Sequence, residues 1–590
     1  MISPLSHLPQ CLIQPRLAVA VLQAYKPPLE GRAGRTRLDF NENTEGLNAL
    51  LPASMRPLAD LLKPGIYPEY QALEKGITET FCLPSNDWLL VTNGSDEGLS
   101  VVAQTFIEHQ RDSALCVKPT FPIIPHSLKL AEAVLVEVPL TPAFCFDVAA
   151  IEETLCQQNI KLVMIASPDN PTGAELNLET LTRWLESFPN TLFVIDEAYA
   201  GFESGGQSAL SLITQFGNLL VLRSFSKVWA LAGLRLGLVM GHPHLIQAMQ
   251  CVRSPYSVNV AAAAMAQILL PQAQAVAHVA QSITARKPAF MQAVEQRGYR
   301  VHGGGGNFFM IAAGADLNDL IGHCKAQGVL VRSQNDKPML AGWLRVSVGT
   351  DTENNQFLAA LDSFKASRAL ILDLDDTLVE CSHSFTSVVS ALYQHYTGEP
   401  LDLAKLTALR AEGGFNDDWV TTLALLQRKG LHPLPSLLDI TQDGVRRYLT
   451  IAPSAEKLLI TEPLLTCLAK RFRLMIYTGR HRTEFDPIWA ERLAPYFEAI
   501  LCVDELYAGG QPKPAADGLL MLKTRYNLKG GYYIGNNVDD MRCAVGADFT
   551  PMGVTITQPS SVLEAAGAVR TFDSLNNLRD VFLLPDPSII

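Results

Sequence analysis

Lys227 lies in the segment of the chain whose residue types point most clearly to a chemical reaction. It follows an apolar run, LLVLRSF (219–225), has the hydroxyl groups of Ser224 and Ser226 before it, and has Arg235 eight residues after it. A lysine amine can form a Schiff base with a carbonyl compound, and a guanidinium beside hydroxyl groups can hold a phosphate. A lysine after a strand is often only a solvated loop residue, so this pattern gains weight from three other segments.

Each of those segments places a polar group beside a predicted strand or turn. SPDNPTG (167–173) places Asn170 in a turn, and FVIDEAY (193–199) places Asp196 at a strand end with Tyr199 three residues later. VTNGSDEG (91–98) predicts a strand, a turn and a helix start, whose backbone N–H groups could bind phosphate. Together with Lys227, these groups match what pyridoxal phosphate requires of a protein.

The four segments resemble the fold-type I aminotransferases of class I/II, and among them most closely histidinol-phosphate aminotransferase and its relatives, over about residues 30–365. The resemblance implies that Lys227 forms the Schiff base and carries the proton. It implies that Asp196 faces the pyridine nitrogen of pyridoxal phosphate, and that Asn170 and Tyr199 face the ring oxygen. Phe121 would stack on the ring, or be plain core. The residues expected around the cofactor phosphate are Gly94, Ser95, Asp96, Ser224, Ser226 and Arg235.

The same resemblance implies substrate-binding residues. Arg345, in LRVSVGT (344–350), would bind the substrate carboxylate, which a guanidinium can grip with two hydrogen bonds. Asn41, in DFNENTEG (39–46), would lie in the substrate segment, although Thr44 stands where the family usually has proline. Asn307 is expected to face the substrate. Arg332 is either a partner for a substrate phosphate or an ordinary surface arginine.

The implied reaction is transfer of an amino group between small amino and keto acids, of the histidinol-phosphate/2-oxoglutarate type, with ping-pong kinetics. Tyr67, in IYPEY (66–70), would reach the cofactor phosphate of a partner subunit, which implies a homodimer. Three alternatives remain open: a specialised amino-acid aminotransferase, a phosphoamino-acid decarboxylase on the same scaffold, and a cofactor-binding regulatory protein without turnover.

A second reactive pattern lies in the C-terminal part of the chain. The apolar run in ILDLDDTL (371–378) ends in Asp373 and Asp375, and later runs end near Thr478 and Asn536. A carboxylate directly after a buried strand can attack a phosphate ester, with a neighbouring carboxylate as general acid. Lys513, in QPKPAADG (511–518), could hold the phosphoryl group.

This order resembles the haloacid-dehalogenase superfamily, in its phosphoglycolate-phosphatase-like branch with a helical cap, over about residues 368–590. The resemblance implies that Asp373 forms an aspartyl phosphate from a phosphate ester and that Asp375 is the general acid and base. The residues expected to hold the phosphoryl group are Thr478, Gly479 and Lys513, and those expected to hold Mg²⁺ are Asp373, Asp375, Asn536 and Asp540.

Asn536 stands where that superfamily usually has an aspartate. An amide oxygen can bind Mg²⁺ but lacks the charge that attracts it. We therefore expect weakened metal binding, and a weakly active or purely structural C-terminal domain remains an alternative.

Two modules must position these side chains. Apolar runs alternate with amphipathic stretches, which predicts α/β architecture with largely parallel sheets and ligands at the carboxyl ends of strands. We expect an aminotransferase with a large sheet domain and a small α/β lobe, followed by a Rossmann-like hydrolase with a cap. The expected ranges are 1–365 for the first module (large domain about 50–260, small lobe from the N-terminal segment and about 261–365) and 366–590 for the second (core 366–378 and 470–590, cap about 379–469).

Composition limits the possible partners and the compartment. The chain has 590 residues, too many for one hydrophobic core, and a formal net charge of −12. That charge opposes binding to nucleic acid or to an anionic membrane surface. The eleven cysteines include no CxxC pair, and the N-terminus lacks the basic region of a signal peptide. We therefore expect a cytoplasmic protein with reduced thiols.

Overall fold

The computed structural model describes residues 9–20, 65–202, 207–411 and 417–586. The chain divides by packing into two compact units. Unit 1 comprises Met1–Gln292, Val301–Ile311 and Val331–Asn354, and unit 2 comprises Ala293–Arg300, Ala312–Leu330 and Asn355–Ile590. The two units are therefore interleaved along the sequence, and a boundary between two enzymes near residue 366 stays a prediction.

Unit 1 is built on a seven-stranded sheet. Its strands are β1 (Leu89–Thr92), β2 (Ser113–Lys118), β3 (Val134–Pro139), β4 (Ile160–Ala166), β5 (Leu192–Asp196), β6 (Leu219–Ser224) and β7 (Gly237–Gly241). The spatial order is β1-β7-β6-β5-β4-β2-β3. β7 runs antiparallel to both of its neighbours, β1 and β6, and the other neighbouring strands are parallel, so the prediction of a largely parallel sheet is confirmed.

Both faces of this sheet are covered. Val163 and Ile165 of β4 pack into one apolar cluster, and Leu162 and Met164 pack into another on the opposite face. That alternation follows from the two-residue period of a strand, and burial on both faces explains why these strands are almost continuously apolar. The helices in this part of the chain are α1 (Leu17–Ala20), α2 (Gln71–Thr80), α3 (Gly94–Phe106), α4 (Ile123–Leu130), α5 (Val148–Gln157), α6 (Leu178–Ser187), α7 (Pro243–Gln250), α8 (Val260–Leu269) and α9 (Ala273–Glu295).

A second, four-stranded sheet has the order β10-β11-β9-β8. Its strands are β8 (Arg300–His302), β9 (Phe308–Ala312), β10 (Arg332–Ser333) and β11 (Trp343–Ser347). β10 and β11 are antiparallel, with Arg332 directly opposite Arg345.

Within the described ranges, the helical stretch Val260–Glu295 is long and apolar enough to cross a membrane by length and composition. Core helices of globular proteins also pass this test.

Unit 2 contains a six-stranded, fully parallel sheet. Its strands, in the order β16-β15-β12-β17-β18-β19, are β12 (Arg368–Leu372), β15 (Arg473–Tyr477), β16 (Ala499–Leu501), β17 (Gly530–Gly535), β18 (Thr550–Val554) and β19 (Arg570–Phe572). The helices of this unit outside the cap are α10 (Leu317–Ala326), the end of α11 (Asp351–Ala366), α16 (Glu462–Arg471), α17 (Arg482–Phe485), α18 (Glu491–Leu493), α19 (Asp517–Arg525), α20 (Val538–Gly546), α21 (Ser560–Ala565) and α22 (Leu578–Val581).

A helical insert lies between β12 and β15, in the stretch where a cap is predicted, and is called the cap below. Its helices are α12 (Ser382–Thr397), α13 (Leu403–Ala411), α14 (Asp418–Lys429) and α15 (Leu437–Ala455). They enclose their own apolar cluster, which includes Val388, Trp419 and Tyr448. A two-stranded antiparallel ribbon, β13 (Val379–Glu380) with β14 (Lys457–Leu458), joins the cap to the sheet.

Candidate active sites

A cavity of about 440 Å³ lies in unit 1, at the carboxyl ends of its central parallel strands. This is where an open α/β sheet places its ligands. Twelve of the residues predicted from the sequence line it: Ser95, Asp96, Phe121, Asn170, Asp196, Tyr199, Ser224, Ser226, Lys227, Arg235, Arg332 and Arg345.

Lys227 follows β6 and extends into the cavity, with its Nζ 5.4 Å from the centre of the Tyr199 ring. Burial of the amine among the cavity walls lowers the pKa of Lys227, and the positive charge of Arg345 lowers it further. Both effects favour the neutral amine, which is the nucleophilic form.

Asp196 is the last residue of β5 and is 3% exposed. Its Oδ1 accepts a hydrogen bond of 3.0 Å from the backbone N–H of Ala198. Burial raises the pKa of Asp196 to about 7, and the negative charge of Asp96 acts in the same direction. The carboxylate has no cationic partner among the described residues, so a positively charged ligand group would stabilise its ionised form.

Asn170 and Tyr199 meet beside this carboxylate, since the Asn170 amide donates a 3.1 Å hydrogen bond to the Tyr199 hydroxyl. Both residues are less than 9% exposed, and burial raises the pKa of Tyr199 to about 12. The pair therefore offers a neutral phenol and an amide to a ligand oxygen. Nη1 of Arg345 donates a hydrogen bond to the side-chain oxygen of the same Asn170.

The start of α3 forms an anion cradle with Arg235. Arg235 Nη2 bonds Asp96 Oδ2 at 2.7 Å, and Arg235 Nη1 lies 3.4 Å from Ser226 Oγ. Gly94 has a φ of +79°, a backbone conformation that favours glycine, and a Cβ added there would lie 2.6 Å from Arg235 Nη2. Both the backbone conformation and this clash exclude a side chain at position 94. Backbone N–H groups at the start of a thirteen-residue helix, next to a guanidinium and hydroxyl groups, suit a phosphate.

Some predicted residues are outside the cavity lining. Tyr67 stacks on Tyr256, with ring centres 4.2 Å apart. Asn307 accepts a hydrogen bond on its backbone carbonyl from Val348 N, at the start of β9, and its side chain is not among the lining groups. Asn41 lies outside the described residues.

The sequence analysis missed several side chains of this cavity. Gln334, Asp336 and Lys337 line it from the loop between β10 and β11. Asp169, next to the lining residue Asn170 in the chain, is completely buried and is not itself part of the lining; it accepts hydrogen bonds from the hydroxyls of Thr120 (2.5 Å) and Thr172 (2.7 Å). Burial raises the pKa of Asp169 to about 6. The only available signal was the position of Asp169 next to Asn170.

The second predicted site, in unit 2, is centred on Lys513. Its Nζ donates to Asp373 Oδ1 at 2.5 Å and to Asp540 Oδ1 at 2.8 Å. Asp373 directly follows β12, is 5% exposed and accepts a 3.2 Å hydrogen bond from Thr377. Burial raises the pKa of Asp373 to about 7, while Lys513 opposes that rise. Burial lowers the pKa of Lys513, but the two carboxylates outweigh this effect and raise it.

Asp540 is held in place by the start of α20, where its Oδ2 accepts a 3.1 Å hydrogen bond from the backbone N–H of Asn537. A Cβ at Gly535 would collide with the Asp540 carboxylate, so the strand end before Asn536 requires glycine. Thr478 and Gly479 follow β15, and Thr478 Oγ1 accepts a 3.1 Å hydrogen bond from the backbone N–H of Arg480.

The predicted Mg²⁺ set does not form an acidic cluster. No group of three or more His, Cys, Asp or Glu side chains is arranged to hold a metal ion anywhere in the part of the chain that the structure describes. Lys513 bridges Asp373 and Asp540, and the position after Gly535 is the amide of Asn536. The ammonium therefore neutralises the carboxylates that were expected to attract the cation.

Arg480 is the main residue of this site that the sequence analysis missed. Its guanidinium is 1% exposed and pairs with Asp375 Oδ1, with Nε at 2.6 Å. It also donates to Glu456, which accepts hydrogen bonds from Trp489 Nε1 (2.7 Å) and Ser384 Oγ (2.7 Å). Asp375, the proposed general acid, is thus linked through Arg480 to Glu456, which directly follows the cap helix α15. Arg480 is adjacent to the predicted Gly479, but its partners Glu456 and Asp375 lie 24 and 105 residues away in the chain.

Comparison with known proteins gives a family for the first site. Residues 41–361 match the family described as Aminotransferase class I and II. A histidinol-phosphate aminotransferase of Stenotrophomonas maltophilia (strain R551-3) is 32% identical, over 59% of this chain and 98% of that protein. Another, from Xylella fastidiosa (strain Temecula1 / ATCC 700964), is 32% identical over 48% of this chain and 79% of its own length.

Among solved structures, the histidinol-phosphate aminotransferase from Clostridium acetobutylicum is 20% identical, with a TM-score of 0.48, and the match covers 52% of this chain and 94% of that one. The family match, by contrast, extends over more than half of the 590 residues and contains Lys227 and most of the cavity lining. The chain belongs to the class I and II aminotransferases.

Proposed function

We propose that the chain is a pyridoxal-phosphate-dependent aminotransferase that acts on histidinol phosphate and 2-oxoglutarate. The observation that carries the proposal is the convergence of Lys227, Asp196 and the Asn170–Tyr199 pair on one cavity. Relatives named histidinol-phosphate aminotransferase, at 32% identity over 98% of one of them, support the substrate.

The side chains fit pyridoxal phosphate. Asp196 is a buried carboxylate without a described cationic partner, which suits a protonated ring nitrogen. Gly94 lets the Arg235 guanidinium lie close against the start of α3, since a Cβ at Gly94 would collide with it, and the guanidinium and the helix N–H groups can then face the same phosphate. Phe121 lines the cavity where a ring could stack on it. When bound, pyridoxal phosphate supplies an electron-poor ring that absorbs the negative charge left at the substrate α-carbon.

The protein groups then have separate tasks. Lys227 Nζ removes the proton from the substrate α-carbon and later returns a proton to the product, as general base and acid. Burial of the amine and the positive charge of Arg345 lower the pKa of Lys227, which favours the neutral amine that acts as the base. Arg345 binds the acidic group of the substrate, and Arg332, opposite it in the strand pair, adds a second cation for a phosphate.

The remaining parts of the proposal are assembly and compartment. We propose a cytoplasmic homodimer in which Tyr67 reaches the cofactor phosphate of the partner subunit, with Asn41 and Asn307 at the edge of the substrate site. We assign residues 1–365 to the aminotransferase.

A half-reaction assay tests the proposed function. Histidinol phosphate should convert the purified, cofactor-loaded protein to its aminated form, and 2-oxoglutarate should restore the starting absorbance. Release of CO₂ from a phosphoamino acid without amino exchange would instead favour the decarboxylase alternative, and absorbance changes with no exchange would favour a binding protein. Lys227→Ala is the control that should abolish exchange.

We also propose that residues 366–590 are a phosphatase of the haloacid-dehalogenase type, because Lys513 holds the buried Asp373 in place at the end of a parallel strand. In this mechanism, an Asp373 oxygen bonds to phosphorus while the bond to the ester oxygen breaks, and Asp375 donates a proton to that leaving oxygen. Water, which returns a proton to Asp375, then attacks phosphorus, and the bond between phosphorus and the Asp373 oxygen breaks to release the free carboxylate and inorganic phosphate. Thr478, Gly479 and Lys513 would hold the phosphoryl oxygens.

The residues fit Mg²⁺ poorly, because Lys513 bridges two of the expected ligands and Asn536 supplies no charge. We therefore derive no step through a metal. Hydrolysis of p-nitrophenyl phosphate, with and without Mg²⁺, tests the phosphatase: Asp373→Asn should abolish it, and hydrolysis unchanged in that variant would remove Asp373 from its assigned role.

A further inference from the structure

The loop between β10 and β11 places an additional cation in the aminotransferase cavity. Lys337 lines the cavity together with Arg332 and Arg345. The loop is held by its own hydrogen bonds: Lys337 N donates to Gln334 O at 3.0 Å, and Gly342 N donates to the Asn335 side chain at 2.9 Å. The position of the lysine is therefore set by the protein before any ligand arrives.

Lys337 forms no ion pair with any residue that the structure describes. Its Nζ has one hydrogen-bond contact, to the backbone carbonyl of Thr120 at 3.4 Å, which is the outer limit for such a bond. The carboxylates of the buried Asp169 and of Asp336 act on its charge, but neither forms an ion pair with it. A partly buried ammonium without a paired carboxylate is costly unless a ligand supplies the negative charge.

The charges around Lys337 are two guanidinium groups and two carboxylates. Burial lowers the pKa of Lys337, and Arg345 and Arg332 act in the same direction, while Asp169 and Asp336 oppose them. Arg332 and Arg345 are directly opposite each other on adjacent strands, an arrangement that is unfavourable for like charges. This side of the cavity carries three cations, Arg332, Lys337 and Arg345, and one lining carboxylate, Asp336. A single substrate carboxylate needs only one guanidinium, so a cation remains beyond what a monoanionic amino acid requires even after Asp336 offsets one.

We infer that Lys337 is a specificity-determining residue that binds the second negative charge of a dianionic substrate. This inference rests on the proposed aminotransferase function. The additional negative charge that Lys337 binds can be supplied either by a phosphate dianion or by a distal carboxylate. Lys337 thereby favours such substrates over acids with one charge.

Two matched substrate pairs, used on the cofactor-loaded full chain, test the inference. Glutamate and norleucine differ by a distal carboxylate, and histidinol phosphate and histidinol differ by the phosphate. Lys337→Met should raise the half-saturating concentration of the charged member of a pair by roughly tenfold or more, the size expected for loss of a charged hydrogen bond. Its effect on the other member should stay within about twofold, since no charged partner is lost there.

Two controls separate charge from folding. Lys337→Arg keeps the charge and should largely preserve the preference, while Lys325→Met changes an exposed lysine of α10 and should alter neither pair. An effect confined to glutamate would assign Lys337 to a distal carboxylate, and one confined to histidinol phosphate would assign it to the phosphate. Equal effects on both members of each pair, or no effect, would overturn the inference.

The same experiments distinguish a wrong proposed function from a wrong role for Lys337. If glutamate reacts and histidinol phosphate does not, the proposed substrate is wrong and the glutamate–norleucine pair still decides about Lys337. If no substrate reacts, binding of succinate and of acetate to the loaded protein, measured by calorimetry, replaces the kinetics. Lys337→Met should then weaken succinate binding alone, and unchanged succinate binding would overturn the inference.

Discussion

Arg345 donates a hydrogen bond to the side-chain oxygen of Asn170 across the aminotransferase cavity. Arg345, which is proposed to bind the acidic group of the substrate, is thus oriented by Asn170, which is proposed to bind the cofactor. Arg345→Met should raise KM for glutamate and lower kcat/KM by roughly 100-fold, because a bidentate, charged hydrogen bond is lost. Steady-state kinetics check this.

Arg345→Lys is the matched control. It keeps the charge but not the planar fork, so it should recover only part of the lost activity. Full activity in Arg345→Met would contradict the assignment of the substrate carboxylate to this residue.

Asp196 gives a prediction about pH. Its pKa is 3.8 in a model carboxylic acid and rises to about 7 in the buried site, so between these values the folded protein retains a proton that the unfolded chain has lost. Its contribution to stability therefore falls as pH rises from about 4 to about 7, by at most about 4 kcal/mol.

In cofactor-free protein, Asp196→Asn should consequently raise Tm at pH 8 and have little effect at pH 4. The same substitution should lower transamination by about 100-fold or more, because the charge facing the ring nitrogen is removed. Thermal melts at both pH values and a rate assay check the two effects, and a lower Tm at pH 8 would count against a desolvated carboxylate.

Lys513 should stabilise unit 2 as well as act in the second site. Lys513→Met leaves Asp373 and Asp540 buried without their shared cation, and breaking such a buried pair costs about 3–5 kcal/mol. The double variant Lys513→Met/Asp540→Asn should recover part of this loss. Denaturant unfolding near pH 8 measures both, and equal stabilities of the single variant and the native chain would contradict the pairing.

Arg471 and Asp316 form an ion pair at 3.0 Å, and both side chains are 0% exposed. Asp316 also accepts a hydrogen bond of 2.9 Å from Tyr532, and the Arg471 guanidinium lies over the Tyr299 ring. The segments Ala293–Arg300 and Ala312–Leu330, which contain Tyr299 and Asp316, therefore contribute to the interior of unit 2. A fragment that begins at residue 366 should be markedly less stable than one that also contains these segments.

Asp316→Asn in the full chain is the corresponding point substitution. It leaves Arg471 buried without its counter-charge and should destabilise unit 2 by about 3–5 kcal/mol. Denaturant unfolding followed by limited proteolysis measures the loss, and a change below about 0.5 kcal/mol would mean that the pair is not buried in solution.

The parts of the fold that depend on local pattern could be predicted from the sequence. The strands before Asp196, Lys227 and Asp373 are short apolar runs, and a polar residue at the end of such a run is placed at the sheet edge by geometry alone. The cap helices likewise follow from a long stretch of helical periodicity between Thr377 and Thr478.

The parts that depend on partners distant in sequence could not be predicted. Arg480 and Lys337 are each one charged residue in a loop, and nothing nearby in sequence indicates that one is buried against Asp375 and that the other extends into the cavity. The interleaving of the two units has the same cause, since Asp316 is buried by Arg471, which lies 155 residues later.

Chemical labelling of Lys227 tests the central claim most directly. The purified protein, loaded with pyridoxal phosphate, is reduced with borohydride, digested and analysed by peptide mass spectrometry. We predict that the pyridoxyl group is found on the peptide containing Lys227, and that Lys227→Ala shows neither the modification nor amino exchange. Labelling of a different lysine, or unaltered amino exchange in Lys227→Ala, would contradict the account.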